Sequence, residues 1–302
     1  MTAKVFIDGE AGTTGLQILD RLQGREDITL VSVDHERRKD PAARADAFAE
    51  ADVAILCLPD AAAIEAVTLA GDCRIIDAST AHRVATGWVY GMPELPGQRA
   101  AIASARHVAN VGCYATGSIA LIRPLRDAGV VAGDAALTLT GVSGYTGGGK
   151  ALIAEFDAGT APDFFLYALG QGHKHVPEIM HYGRLSRQPA FQPSVGNYAQ
   201  GMIVQLHLRR EMLHGAPDIA ALEEVFRAFY AEAGFIDVVA APDRLDPRAL
   251  NGTNRMEISV HGMEKAGIFT VTATLDNLGK GASGAAVQNL NLMIGAAEDT
   301  GL

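Results

Sequence analysis

The sequence has few cysteines, few prolines and no long hydrophobic segment. Only 3 of its 302 residues are cysteine, and their wide spacing matches neither a disulfide framework nor a Cys-x-x-Cys metal or redox pair. No apolar stretch approaches the roughly 18 residues of a membrane-spanning helix, and the apolar run at the N-terminus is too short for a signal peptide. With 12 prolines and 20% charged residues, the composition is not that of a disordered chain. We therefore expect a soluble, globular, cytoplasmic protein.

The chain also lacks an excess of positive charge. Lys and Arg total 25 against 35 Asp and Glu, and the resulting formal net charge of −10 argues against a nonspecific nucleic-acid binder. A phosphate-bearing small molecule stays compatible, because it needs only local backbone N–H groups and one or two cations. Glycine is abundant, at 33 residues, which is typical of enzymes with tight turns around a cofactor. We expect a small-molecule ligand, and neither a nucleic-acid nor a membrane partner.

The first hundred residues alternate short apolar strands with helices. Helical spacing of apolar residues indicates one helix around Leu16–Gln23 and another over Ala61–Ala70. This alternation is typical of an α/β fold with a doubly wound, Rossmann-like parallel sheet. The strands are predicted at Val5–Ile7, Thr29–Val33, Val53–Leu58, Arg74–Asp77 and Ala101–Ser104.

A different pattern begins near Asp134 and indicates a second, α+β domain. Several strands there alternate apolar and polar residues, as in a mainly antiparallel sheet with one wet face, and a helix around Leu222–Phe229 covers the sheet. The strands are predicted at Ala136–Thr140, Gly201–Leu208, Asn254–Val260 and Ile268–Leu275. We expect the first domain at residues 1–113, the second at 114–279, and a C-terminal helix over residues 280–302 that packs back on the first domain.

A glycine turn separates the first strand from the first helix. A strand that runs through such a turn into a helix is the setting in which a pyrophosphate binds helix N–H groups. The spacing here is Gly-x-x-Gly-x-x-Gly, not the commoner Gly-x-Gly-x-x-Gly, and a plain strand-to-helix turn is the alternative. The turn predicts dinucleotide binding by Gly9, Gly12, Thr13, Thr14 and Gly15.

Charged residues follow the second strand, where a dinucleotide enzyme contacts the adenosine ribose. Arg37 and Arg38 are suited to a 2′-phosphate, which favours NADP. Asp34 and Glu36 favour NAD instead, because a carboxylate there binds a ribose hydroxyl. A solvated charged surface without a ligand is the third interpretation.

Cys113 is the candidate nucleophile among the three cysteines. It follows Asn110-Val-Gly and precedes a helical stretch, so it lies near a helix N-terminus, where a thiolate is stabilised. Cys57 and Cys73 have apolar surroundings and fit buried, hydrophobic cysteines better. Polar and glycine neighbours make that interpretation less suitable for Cys113, which we expect to act in covalent catalysis.

A thiolate nucleophile needs a nearby acid or base, and the densest supply is the segment His173-Lys-His175-Val-Pro177-Glu178. Pro177 suits the first turn of a helix, which would bring His175 and Glu178 to one side of that turn. A metal site is an alternative for this His-x-His segment, but no cysteine or further carboxylate completes a ligand set. A solvated surface is the other alternative.

Several further segments predict substrate or anion contacts. Arg83 follows the strand Arg74–Asp77, and an arginine at a strand end can capture a carboxylate in bidentate fashion. The glycine-rich stretch Gly144–Lys150 opens another helix and either cradles an anion or acts as a hinge. Other candidates from these and neighbouring segments are Ser79, Glu94, Arg106, Arg123 and Tyr145.

Together these segments resemble the N-acetyl-γ-glutamyl-phosphate reductase family, in its shorter type, within the aspartate-semialdehyde dehydrogenase-like superfamily. The longer type has proline where this chain has Val111 and Ala115, beside the cysteine. The order of the segments is more specific than any one of them. They are Gly9–Gly15, Asp77–Arg83, Tyr90–Glu94, Asn110–Thr116, Ser143–Lys150, His173–Glu178 and Asn277–Asn289.

The resemblance implies an NADP(H)-dependent enzyme of arginine biosynthesis, assembled as a dimer or tetramer. It implies that Cys113 forms a thioester with the acyl group, that a histidine is the acid/base, and that donors near Asn110 stabilise the oxyanion. His175 is favoured as the acid/base, with Glu178 to orient it, and His173 is the alternative. The implied cofactor contacts also include Arg37, Arg38, Ser79, Gly144 and Asn289, and the implied substrate contacts are Arg83, Arg106, Glu94 and Tyr145.

Three other functions are compatible with parts of this pattern. An aspartate-semialdehyde dehydrogenase shares the architecture and a cysteine after asparagine. A noncatalytic NADP sensor would use the glycine turn alone, and a cysteine hydrolase would use Cys113 and His175 alone. Neither of the last two explains the Gly9 turn, the cysteine and the Asn289 segment together, so the reductase is the favoured interpretation.

Overall fold

The computed structural model describes residues 2–302 and divides into two compact units. One unit comprises the chain up to Gly112 together with Ala282–Leu302, and the other is the continuous segment Cys113–Gly281. Within residues 2–302, no helix has the length and apolar character needed to cross a membrane.

The first unit is built on a six-stranded sheet in which every neighbouring pair is parallel. Its strands are β1 (Ala3–Asp8), β2 (Ile28–Val31), β3 (Val53–Leu56), β4 (Arg74–Asp77), β5 (Val89–Gly91) and β6 (His107–Asn110), in the order β2-β1-β3-β4-β6-β5. Its helices are α1 (Thr13–Leu22), α2 (Pro41–Glu50), α3 (Asp60–Leu69), α4 (Gln98–Ser104) and α9 (Gly284–Ile294). The carboxyl ends of all six strands therefore meet at one edge.

Helices cover both faces of this sheet. On one face, α1 and α9 bury residues such as Ile18 and Leu290 against the strands, and on the other face α2 and α3 bury Phe48 and Ala66. Each face thus has its own apolar core, which is the arrangement of a doubly wound α/β fold. This confirms the Rossmann-like fold expected from the sequence.

One strand prediction in this unit is wrong. Ala101–Ser104 is helical and forms the last turns of α4, and the strand lies a few residues later, in β6. The segment is rich in alanine, which has the highest intrinsic helix propensity, and its one large apolar residue, Ile102, is fully buried on the inner side of the helix. Gly97 precedes α4 with φ = 79°, a left-handed conformation that starts the helix after a turn.

The second unit holds a seven-stranded, mainly antiparallel sheet, as expected. Its strands are β7 (Thr138–Gly144), β8 (Phe164–Leu166), β9 (Ala190–Gly196), β10 (Met202–Arg209), β11 (Ile236–Val238), β12 (Met256–Met263) and β13 (Ile268–Leu275), in the order β11-β12-β13-β10-β7-β9-β8. Only the β7/β9 and β11/β12 pairs are parallel. The sequence did not predict β8, β9 and β11, and β7 begins later than expected.

Helix α5 (Cys113–Asp127) forms the centre of this unit. All its residues from Tyr114 to Leu125 are buried. At Gly117 the helix approaches β10 so closely that a Cβ would lie 2.7 Å from a methyl group of Val204. The remaining helices of the unit are α6 (Gly149–Asp157), α7 (Val176–Tyr182) and α8 (Ile219–Phe229). Tight packing of α5 fixes the position of its first residue, Cys113.

Candidate active site

The glycine turn after β1 has the geometry expected of a dinucleotide loop. Gly9 has φ = 92°, and a Cβ there would lie 2.5 Å from the carbonyl oxygen of Cys57. A Cβ on Gly15 would lie 2.6 Å from the Gly9 carbonyl oxygen. Gly12 is the N-cap of α1 and has no side chain, so the N-cap residue does not occupy the N–H groups of the first turn. An anion is well suited to this position.

The two arginines after β2 lie on the surface and make local contacts. Arg37 pairs with Asp40 at 3.1 Å, and Arg38 donates to the His35 carbonyl at 2.6 Å. Exposed pairs of this kind contribute little stability. A phosphate can therefore compete for either guanidinium at small cost.

The carboxylate of Asp77, at the end of β4, accepts hydrogen bonds from polar side chains that follow it in the sequence. It is fully buried and accepts hydrogen bonds from the Ser79 hydroxyl at 2.7 Å and from Nδ1 of His82 at 2.6 Å. The His82 ring stacks on Trp88, with ring centroids 4.1 Å apart. Ser79, a candidate cofactor contact, thus has its hydroxyl hydrogen committed to the loop itself.

The three arginines that the sequence offered for a substrate carboxylate lie in different places. Arg83 is buried at the carboxyl edge of the sheet, where it donates to the carbonyls of Asn110, at 3.1 Å, and Ala78, at 3.3 Å. Arg106 immediately precedes β6, so it lies at the opposite edge of the parallel sheet, where it pairs with Asp72. This position and this ion pair do not favour the expected substrate contact of Arg106, which stays a prediction.

Arg123 is also occupied by the fold. It lies within α5 and forms an ion pair with Asp127 at 2.8 Å, and it donates to the carbonyl of Tyr182 at 3.2 Å. Its side chain is almost fully buried in this pair. These bonds connect α5 to the end of α7, which is a structural task, so we assign Arg123 no substrate contact.

Asn110 and Asn289 form a buried network at the carboxyl edge of the first sheet. The Asn110 amide donates to the Ala282 carbonyl at 2.8 Å, and its oxygen accepts from Nδ2 of Asn289 at 3.0 Å. Asn289 also donates to the Gly91 carbonyl at 3.0 Å, which completes its two donors. Its Oδ1 is buried without a hydrogen-bond partner among the described residues. That carbonyl oxygen can accept a hydrogen bond from a bound ligand.

Glu94 is tied to helix α9. Its Oε1 accepts from Nε2 of Gln288 at 2.9 Å, and Gln288 donates in turn to Glu298 at 2.7 Å. The carboxylate of Glu94 is buried. Its observed bond anchors the C-terminal helix within the first unit, and we assign it this anchoring role.

Cys113 is the first residue of α5 in the second unit and is half-buried. A Cβ on Gly281 would lie only 2.7 Å from the Cβ of Cys113, so no larger residue fits there without a shift. Desolvation raises the pKa of Cys57 to about 12 and that of Cys73 to about 11. Neither of those thiols forms a thiolate near neutral pH, which leaves Cys113 as the thiol suited to nucleophilic attack.

The histidine segment leads into α7 as the sequence predicted. His175 is the N-cap of α7 and Pro177 lies in its first turn. His175 and Glu178 are 5% and 1% exposed. The His175 N–H donates to Nδ1 of His173 at 3.1 Å, and the two rings meet edge to face. Within residues 2–302, no three His, Cys, Asp or Glu side chains are grouped so as to hold a metal ion.

The first part of the glycine-rich stretch after β7 has its backbone donors occupied. The N–H groups of Gly144, Tyr145 and Thr146 donate to the carbonyls of Gly201, Tyr198 and Ala199, so these three donors do not serve an anion. The Tyr145 ring stacks on Phe156 at 4.5 Å. The expected cofactor contact at Gly144 stays a prediction, but it would not use the N–H of Gly144, because that donor is already bonded.

Two residues that sequence reasoning missed border the candidate site. Gly281 packs against Cys113, and the Tyr167 hydroxyl lies 3.3 Å from Nε2 of His173. Gly281 is one of several glycines in its segment, so the sequence alone did not indicate that this glycine contacts Cys113. Tyr167 lies just beyond β8, a strand that the sequence did not predict, and the fold alone brings it to His173.

Comparison with known proteins agrees with this geometry. The family described as "Semialdehyde dehydrogenase, NAD binding domain" matches residues 4–105, and "Semialdehyde dehydrogenase, dimerisation domain" matches residues 113–277. N-acetyl-gamma-glutamyl-phosphate reductases of Brucella suis and Brucella melitensis are 51% and 50% identical, over 98% of this chain and 100% of each relative.

Solved structures show the same fold at low identity. Aspartate semialdehyde dehydrogenase II from Vibrio cholerae has a TM-score of 0.75 at 17% identity, over 97% of this chain and 98% of that one. The Candida albicans enzyme solved with NADP has a TM-score of 0.72 at 15% identity, over 97% and 99%. The fold is thus shared with dehydrogenases of distant sequence, and the near-complete alignment at 51% identity confirms the resemblance seen in the sequence. The chain belongs to the N-acetyl-γ-glutamyl-phosphate reductase family, a family of nicotinamide-dependent oxidoreductases.

Proposed function

We propose that this protein reduces N-acetyl-γ-glutamyl phosphate to N-acetylglutamate 5-semialdehyde and phosphate, with NADPH, as a cytoplasmic step of arginine biosynthesis. The observation that carries the proposal is Cys113 at the start of α5, packed against Gly281, in a chain 51% identical to reductases of that name. The proposal gives the segment Cys113–Gly281 the substrate, catalytic and oligomerisation roles, in a dimer or tetramer.

The residues of the first unit fit a nicotinamide dinucleotide. The uncapped N-terminus of α1 beside Gly12 suits the pyrophosphate, and the exposed Arg37 and Arg38 suit a 2′-phosphate. The buried, unpartnered Oδ1 of Asn289 is an acceptor suited to a carboxamide N–H such as that of nicotinamide. When bound, NADPH supplies the hydride that reduces the enzyme-bound acyl group.

Cys113 carries the covalent chemistry in this proposal. Its thiolate attacks the acyl carbon of the acyl phosphate, a mixed carboxylic–phosphoric anhydride. The S–C bond forms, the C–O bond to phosphate breaks, and inorganic phosphate leaves. The product is a thioester, which accepts a hydride more readily than a carboxylate does. Reduction gives a thiohemiacetal on Cys113, and loss of its hydroxyl proton releases the aldehyde and restores the thiolate.

We infer that His175 accepts and returns the proton in these steps. Nδ1 of His173 already accepts the His175 amide hydrogen, so protonation of that nitrogen would break a bond that the fold makes. Glu178 lies in the same first turn of α7 and is buried, which suits a carboxylate that orients an imidazole. Arg83 remains the arginine best placed for the substrate carboxylate, at the carboxyl edge of its sheet.

The test is the reverse reaction. Purified protein is given N-acetylglutamate semialdehyde, phosphate and NADP, with aspartate semialdehyde in parallel, and NADPH formation is followed by absorbance. We expect phosphate-dependent activity on the acetylated substrate, lost in Cys113→Ser. Activity on aspartate semialdehyde alone would assign the chain to the aspartate-semialdehyde reaction, whose fold it shares. Retained nucleotide binding without either activity would point to the sensor, and turnover without nicotinamide to a hydrolase.

A further inference from the structure

His173 is held by hydrogen bonds at both ring nitrogens. The backbone N–H of His175 donates to Nδ1 of His173 at 3.1 Å, and Nε2 of His173 lies 3.3 Å from the Tyr167 hydroxyl. The neighbouring Tyr114 hydroxyl donates to the Ser194 carbonyl at 2.6 Å. The rings of Tyr167 and Tyr114 both contact the His173 ring.

The direction of these bonds follows from counting hydrogens. A neutral imidazole has one donor and one acceptor nitrogen, and Nδ1 of His173 is the acceptor. Its Nε2 therefore carries the hydrogen and donates to the Tyr167 oxygen. The Tyr114 ring meets the His173 ring edge to face, with ring centroids 6.1 Å apart, while its hydroxyl donates to Ser194. The two hydrogen bonds of His173 therefore require a single tautomer.

The Tyr167 hydroxyl keeps its hydrogen over the physiological pH range. Desolvation raises its pKa well above the ordinary value, and the nearby charge of Cys113 raises it further. The same two causes raise the pKa of Tyr114. Both hydroxyls therefore keep their hydrogens, and both lie close enough to Cys113 to feel its charge.

The backbone around Tyr167 is held under strain. Ala168 has φ = 51° and Gln171 has φ = 61°, left-handed conformations that side chains other than glycine adopt at a cost. The loop is fastened to β9, where the Phe191 N–H donates to Oε1 of Gln171 at 2.8 Å and the Gln192 side chain donates to the Tyr167 carbonyl at 3.1 Å. These bonds hold Tyr167 and the loop that leads to His173.

We propose that Tyr167 is a positioning residue whose hydroxyl accepts the Nε2 hydrogen of His173 and so fixes the orientation of the histidine pair, whose rings meet edge to face. The inference rests on the proposed function, because it takes Cys113 as nucleophile and His175 as acid/base. Tyr167 acts through His173. Its loss should therefore slow the proton transfers and leave the binding of the aldehyde nearly unchanged.

The test compares Tyr167→Phe with Tyr198→Phe in the reverse reaction. Each change removes one phenolic hydroxyl, and that of Tyr198 is buried without a hydrogen-bond partner among the described residues, so it is a matched control. A misplacement of reacting groups by about 1 Å costs up to about 100-fold in rate. We expect Tyr167→Phe to lower kcat by about 10- to 100-fold with KM for the aldehyde changed less than about threefold, and Tyr198→Phe to stay within about twofold.

A second measurement does not depend on activity. In ¹⁵N-histidine-labelled protein, the His173 signals, assigned by their loss in His173→Gln, should show an unprotonated Nδ1 and a protonated Nε2. In Tyr167→Phe they should shift toward a mixture of tautomers. A protonated Nδ1 in the unmodified protein would show that the two hydrogen bonds of His173 are not formed in the proposed direction.

The outcomes separate this inference from the proposed function. If the unmodified enzyme turns over but Tyr167→Phe keeps its kcat within twofold, or falls no further than Tyr198→Phe, the positioning role is wrong and the reductase assignment stands. If the unmodified protein has no activity while His173 shows the expected tautomer, the proposed function is wrong. The hydrogen bonds of His173 are then still confirmed.

Discussion

Replacement of Gly281 by alanine should slow the reaction by displacing the nucleophile. A Cβ at this position would lie 2.7 Å from the Cβ and 3.0 Å from the Cα of Cys113, and 3.2 Å from the Asp276 carbonyl oxygen. Ordinary contact begins at 3.4 Å, so Cys113 must retreat by about 0.7 Å. It cannot retreat easily, because α5 is buried along nearly its whole length.

The size of the effect follows from that displacement. Overpacking of a rigid site costs on the order of 1–3 kcal/mol of stability, and a shift approaching 1 Å at a reacting atom costs up to about 100-fold in rate. We expect kcat of the reverse reaction in Gly281→Ala to fall about 10- to 100-fold. The thermal transition should drop by a few degrees, roughly the effect of 1 kcal/mol or more in a protein of this size.

The matched control is Gly234→Ala. Gly234 is exposed and a Cβ there would meet nothing within 4 Å, so both activity and the thermal transition should stay unchanged. The assays are initial rates of NADPH formation and a thermal melt of each variant. Gly281→Ala with kcat within twofold of the unmodified enzyme would refute the claim that this glycine sets the position of the thiol.

Three further results are expected. Iodoacetamide near neutral pH should label Cys113 alone in a peptide mass map, because desolvation raises the pKa of the other two thiols to about 12 and about 11; comparable labelling of either would contradict the assignment. Arg106→Ala should leave kcat/KM for the aldehyde within twofold, since this residue lies at the far edge of its sheet, whereas Arg83→Lys should lower it by about tenfold or more through the loss of a fork of donors. Burial lowers the pKa of His107, and the neighbouring Arg106 lowers it further. The unfolded chain therefore binds the proton first, and the folded state loses stability as the pH falls below about 6.5. The melting temperature of His107→Phe should decline less steeply between pH 7 and 5, and equal slopes would refute this.

The features that the sequence predicted correctly are those with local causes. Periodic apolar residues separated by glycine turns are enough to indicate β1, α1 and the doubly wound sheet. Cys113 at the start of α5 was predictable because the polar and glycine residues before it end one strand and open one helix. The alanine-rich segment of α4 was misassigned because short apolar runs suit a strand or a helix equally well.

The errors and omissions concern positions that depend on where the fold places strands and loops. Whether Arg106 reaches the same edge as Asn110 depends on which end of β6 each occupies, and that strand was itself misplaced. The tertiary fold brings the Gly144 N–H to the Gly201 carbonyl, where it is bonded, and places the Tyr167 hydroxyl beside His173. The hydrophobic periodicity of the chain does not predict such contacts.

The approach of Gly281 to Cys113 has a consequence for how such a chain can change over time. These two residues are the last and the first of the second unit, so that unit is an insertion whose two ends adjoin. An insert with adjoining ends can be exchanged for another of different length without altering the path of its host chain. The thiol, both histidines and Tyr167 belong to the insert, and the glycine turn belongs to the host. The cysteine, the histidine pair and Tyr167 can therefore be inherited as one contiguous block, while the host unit is kept for different inserts.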